Sequence, residues 1–74
     1  MDDVQKFIKE NIISDDDKTQ EIPLDLLFQN YNRFFQDSGM GDNNLKQKSL
    51  NQFRDEFKHY FEYKKQKFLG IKLK

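Results

Sequence analysis

The residues with the most chemical potential in this chain are cations and amides clustered in its second half. Lys46-Gln47-Lys48-Ser49 leads into a segment carrying Asn51, Gln52, Arg54 and Lys58, and Lys64, Lys65 and Lys67 follow within four positions. Asn and Gln can pair bidentately with adenine, and Arg or Lys with guanine. Lys side chains and the N–H groups at a helix start suit phosphate oxygens. These eleven residues are the candidate DNA contacts. Asp55 and Glu56 lie among them and would repel phosphate if they faced it. Lys-rich turns and amide-bearing helix faces are also ordinary solvated surface, so a protein-docking module stands as the alternative, and the same residue types serve RNA.

Other chemistries find little support. There is no cysteine, which removes a thiol nucleophile, a disulfide scaffold and a zinc finger together. The single histidine, His59, has no Ser or Asp at a telling spacing. No phosphate loop, GxGxxG or metal quartet is present. The run Asp15-Asp16-Asp17 lacks the alternating ligands and the sixth-position Gly of a calcium loop. No catalysis, cofactor or metal is expected. Tyr31, Phe34 and Phe35 read as core, and Tyr60 and Tyr63 as packing before base stacking.

The elements that must position these groups follow from hydrophobic period. Val4, Phe7, Ile8 and Ile12 form one helical stripe, with Asp2 and Asp3 at its favourable N-terminal end. Ser14 to Glu21 reads as a polar loop. Pro23 suits a first helical turn, and Ile22 before it is biased to extended geometry. Leu24, Leu27, Phe28, Tyr31, Phe34 and Phe35 give the strongest amphipathic pattern, closed by Ser38-Gly39. Gly39 to Asn44 is turn-rich. Ser49 is a candidate N-cap for a third helix whose apolar face is Leu50, Phe53 and Phe57.

The last fifteen residues change period. Phe61 and Tyr63 alternate with Glu62 and Lys64, and Ile71 to Lys74 alternate strictly. Two antiparallel strands are expected, joined near Lys65-Gln66 without the Asn-Gly turn signal. A hairpin alone is unstable in water, so it must pack on the helices, and the Ile22 stretch can add a third strand. The expected fold is a small α+β domain: a winged helix-turn-helix of three helices plus a C-terminal β-hairpin wing, one domain over residues 1–74. In such a fold the second helix of the motif, here the one at Ser49, enters the major groove.

Charge supports that layout. The chain is neutral, with 13 Lys plus Arg against 13 Asp plus Glu. Residues 1–37 carry four cations and nine acids, net −5, and residues 38–74 carry nine cations and four acids, net +5. The split points to an anionic partner for the second half. Overall neutrality predicts weak, salt-sensitive binding. No apolar run approaches the about 20 residues of a membrane span, and Met1-Asp2-Asp3-Val4 has no signal-peptide character. No membrane partner is expected.

The chain also resembles the C-terminal winged-helix domain of D5-type primase-helicases of phages, plasmids and large DNA viruses. The opening Val4…Phe7-Ile8 helix carries part of the likeness. The stretch from Ile22-Pro23 to Phe34-Phe35, with Tyr31 within it, is similar to the family's apolar-aromatic-x-x-Tyr-x-x-aromatic helix. Ser38-Gly39 closes it as the family's Gly does. Ser49…Phe53 resembles the Ser-x-x-x-Phe opening of the third helix, and Gly70-Ile71-Lys72-Leu73 the terminal Gly-Ile-x-Leu strand. The likeness implies a non-catalytic DNA-contacting appendage of a helicase ATPase, at an intracellular site of viral or plasmid replication. Its implied partners are DNA and other subunits of a helicase ring.

Overall fold

The computed structural model describes residues 2–74, at Asn43 the backbone alone. Helix α1 spans Asp3–Asn11. Asp2 accepts from the Gln5 N–H, and the Gln5 side-chain oxygen accepts from the Asp2 N–H, which closes a capping box. Ile12 does not extend this helix as its spacing predicts. It caps α1 in an extended conformation and opens strand β1, Ile12–Ser14. Two adjacent β-branched residues favour that change, and Ile12 is still buried. Its role as core was legible; its element was not.

Strand β2, Glu21–Pro23, follows the acidic loop and leads directly into α2, Leu24–Asp37. Pro23 is thus the last strand residue and the N-cap, one step before the expected first turn. Leu24, Leu27, Tyr31 and Phe35 form the buried stripe of α2, with Phe28 and Phe34 half-buried beside it. Gly39 takes a left-handed φ of 70° and admits a short 3-10 turn, Met40–Asn43, whose Met40 is buried. Helix α3, Leu50–Phe57, begins at Ser49 as its N-cap. Phe53 and Phe57 are fully buried, but Leu50 at the first turn is 36% exposed and lies outside the core its spacing assigned.

The chain ends in three strands where two were expected, β3, Tyr63–Lys64, β4, Lys67–Leu69, and β5, Ile71–Leu73, because Gly70 at φ 72° breaks the last one in two. Strand β4 lies between β2 and β3, all antiparallel, with Ile22 opposite Phe68 and Tyr63 opposite Phe68 from the other side. The Ile22 stretch therefore does supply the third strand. Strand β5 pairs with β1, Ile13 opposite Lys72. Gly70 joins the two sheets. Its carbonyl accepts from the Asp15 N–H at 2.7 Å and its N–H donates to the Gln20 carbonyl at 2.8 Å. Strands β1 and β2 therefore lie end to end along residues 67–73, with Asp15 to Gln20 looped out at the kink.

Helices and sheets meet through aromatic rings. Phe57 lies 4.9 Å from Phe53 and 4.9 Å, edge-on, from Phe68. Phe7 of α1 touches Phe34, Phe53 and Phe57. Large rings bury much area per residue, which a chain this short needs, since it covers only about 60% of its unfolded surface. The result is a small α+β domain of three helices and antiparallel strands. No helix is long and apolar enough to cross a membrane among the described residues.

Candidate nucleic-acid interface

The candidate groups sit on three neighbouring pieces: the approach to α3, α3 itself, and the β3–β4 hairpin. The approach is held by contacts inside the molecule. The Gln47 amide donates to the Asn32 side chain on α2. The Lys48 ammonium lies 3.1 Å from Asp3 Oδ1 and 3.3 Å from Glu56 Oε2. Ser49 and Gln52 form the capping box of α3, the Ser49 oxygen accepting from the Gln52 N–H and the Gln52 side-chain oxygen from the Ser49 N–H. Lys48, Ser49 and Gln52 thus hold the helix start in place.

On α3, Asn51 is exposed and Arg54 pairs with its neighbour Asp55 at 3.1 Å. The helix carries Arg54 against Asp55 and Glu56, a net charge of −1. An open groove of about 550 Å³ runs beside it, lined by Lys46, Gln52, Asp55, Glu56 and His59 among others. The groove mixes both signs and His59 is exposed.

The segment from Lys58 to Lys67 has four Lys against Glu62, a net charge of +3. Lys58 lies over the Tyr63 ring, 5.5 Å from its centroid. Lys64 faces Lys67 across the hairpin. Lys67 pairs with Glu21 of β2 at 3.0 Å, while Lys46, Lys58, Lys64 and Lys65 enter no ion pair among the described residues. The turn itself has both central residues left-handed, Lys65 at φ 53° and Gln66 at φ 62°. That is the type I′ geometry, which favours Asn-Gly, so the hairpin forms here without its usual residues.

One cluster escaped the sequence reading. Asp3 is buried at the start of α1, and its carboxylate accepts from the Tyr31 hydroxyl at 2.5 Å. The same hydroxyl accepts from the Lys48 N–H at 2.9 Å. The cluster ties α1 and α2 to the approach of α3, and Lys48 extends the tie to Glu56. Burial, then the bond to Asp3, raises the Tyr31 pKa above the usual tyrosine value. For Lys48, burial acts downward but Asp3 and Glu56 act upward more strongly, so its pKa is raised. Burial, and next the neighbouring Asp2, raise the Glu56 pKa. Burial acts to raise the Asp2 pKa, but the bonds from Gln5 and Glu56 outweigh it and the value is lowered. The signal was present: Asp3 stands four residues before Phe7 on the inward stripe, and a phenol in an apolar stripe needs a partner.

Among the described residues no buried side-chain nitrogen or oxygen lacks a partner, and no group of three or more His, Cys, Asp or Glu could hold a metal. No protein-family model, curated protein or solved structure matches the chain.

Proposed function

We propose that the chain is a winged-helix DNA-binding domain with no catalysis of its own, an appendage of a replicative primase-helicase of the D5 type. In this reading α2 and α3 are the helix-turn-helix and the β3–β4 hairpin is the wing. The element order supports it in outline: helix, two short strands of which the second holds Ile22, helix, turn, helix capped at Ser49, hairpin and a last strand that returns to the first. The observation that carries it is the net +3 segment from Lys58 to Lys67, in which Lys58, Lys64 and Lys65 are exposed. Exposed cations close together in one segment favour a polyanion.

Fluorescence anisotropy with labelled duplex and single-stranded DNA, at low and moderate salt, tests this. Binding should be weak and should fall as salt rises, since each phosphate contact releases counterions. No anisotropy change at about 50 mM salt, even at high protein concentration, would refute DNA binding by this chain. The mixed-charge groove beside α3 supports a second reading, a docking module for another subunit of a helicase ring. Light scattering after size exclusion discriminates: a stable self-assembly without DNA affinity favours docking.

A further inference from the structure

We infer that the domain holds duplex DNA by its sugar–phosphate backbone through the β3–β4 hairpin, and that α3 does not read base edges. This rests on the DNA-binding reading and specifies how the contact is made. Charge is the first reason. Helix α3 with its C-cap Lys58 is neutral, whereas residues 59–67 carry Lys64, Lys65 and Lys67 against Glu62, a net +2. The positive half of the chain is therefore positive at the hairpin and not at the helix. A helix lying deep in a groove would bring the exposed carboxylate of Asp55 between two phosphate strands, where like charges repel.

Occupancy is the second reason. Three of the groups that would lead a helix into the groove already have partners, Gln47 with Asn32, Lys48 with Asp3 and Glu56, and Gln52 with Ser49, which leaves Lys46 and Asn51. Turning those three toward a base would open the cap and uncouple the cluster under α3. Lys67 is held by Glu21, but the other cations at and beside the hairpin carry no such cost. Lys64 and Lys65 have no ion-pair partner among the described residues, and Lys58 rests over Tyr63.

Local conformation at the tip is the third. Lys64 stands opposite Lys67, and like charges directly across a ladder destabilise it. Lys65 and Gln66 both hold positive φ without being Gly or Asn. Glu21 already neutralises Lys67, so a phosphate lying over this tip would meet Lys64 and Lys65, which have no acid partner among the described residues. Contact with phosphate alone carries no sequence information, so binding should be indifferent to sequence. Three contacting lysines give a logarithmic salt slope of about −2.7 on duplex DNA.

The test compares two variants by anisotropy on duplexes of equal length and unrelated sequence. The triple change Lys58→Gln, Lys64→Gln and Lys65→Gln should weaken binding at least tenfold and flatten the salt slope, with an unchanged circular dichroism melt certifying the fold. Asn51→Ala, on the exposed face of α3, should bind within twofold of the parent, and so should the parent on each duplex. The single change Lys65→Gly keeps the left-handed turn and removes its charge, so weaker binding with no loss of melting temperature separates charge from folding. A hairpin triple that binds like the parent overturns the inference, as does a tenfold preference for one duplex or a fivefold loss in Asn51→Ala. Those failures leave DNA binding standing. If the parent itself binds no duplex, the DNA-binding reading and this inference fall together.

Discussion

Replacing Tyr31 by Phe removes one oxygen from the centre of the domain and leaves the ring in place. The ring lies 4.8 Å from that of Phe53 and is fully buried, so packing is retained. Two hydrogen bonds are lost, one to the Asp3 carboxylate at 2.5 Å and one from the Lys48 N–H at 2.9 Å. A bond to a charged group contributes about 1.5–3 kcal/mol, and the stranded N–H adds about 1 kcal/mol. A loss of about 3 kcal/mol is therefore expected, against a total stability of about 4–11 kcal/mol for a domain of this length. The melting temperature should fall by about 12–24 °C.

The pH profile gives an independent check on the same bond. The folded state holds the Tyr31 proton more tightly than the unfolded chain does, because its pKa is raised by burial and by Asp3. Stability from this group is whole below the unfolded value of about 10 and is lost as pH rises beyond it. Lys48, also raised, adds a loss of the same sign at alkaline pH. Urea titrations from neutral pH to about pH 11 should show a steep alkaline decline in the parent. The Phe variant should start lower and decline less steeply. A variant within about 0.5 kcal/mol of the parent at neutral pH, with the same alkaline slope, would show that the cluster contributes nothing beyond packing.

Three further outcomes follow from the turn, the kink and the carboxylate pair. Changing Lys65→Asn together with Gln66→Gly should stabilise the fold by about 1–2 kcal/mol, since each non-Gly left-handed residue costs about that much; a lower thermal midpoint contradicts it. Gly70→Ala should destabilise by about 1–3 kcal/mol, because the residue sits at φ 72° and a Cβ would stand 3.0 Å from the Asp15 carbonyl oxygen. A urea midpoint equal to the parent's would remove Gly70 as the joint between the sheets. Asp2→Asn should move the Glu56 titration, followed by carboxyl carbon NMR, down toward the ordinary glutamate range. In the parent the two groups oppose each other: the Glu56 contribution is lost as pH rises through its raised value, the Asp2 contribution as pH falls through its lowered one. An unmoved Glu56 would mean that burial alone sets its value.

Local rules carried much of the fold. Ser49 lies three residues before Gln52, the spacing of a capping box, and it starts α3 as expected. Leu24 to Phe35 keeps one period for three turns, and that stripe faces the core. Ile22 before Pro23 is extended and pairs with Phe68. Ile12 shows where such rules stop. Its spacing continues the α1 stripe, but its side chain is buried from β1, where β5 supplies the pairing partner for a conformation that two adjacent β-branched residues already favour.

The candidate interface divides in the same way. Residue types and the charge split between the halves were visible as text, because they depend on composition alone. Which cations stay exposed was not visible, because it depends on acids distant in sequence. Lys48 meets Asp3 across 45 positions, and Lys67 meets Glu21 across 46. Short-range periodicity carries no information about such pairs. The chain by itself determined three amphipathic helices, a terminal hairpin and a positive second half, since these follow from spacing within a few residues. Tertiary structure decided that Ile12 is strand, that Tyr31 closes a polar cluster with Asp3 and Lys48, and that Lys48 and Lys67 find acid partners while Lys64 and Lys65 stay exposed. Each of those depends on bringing distant segments together, where burial requires polar groups to find partners.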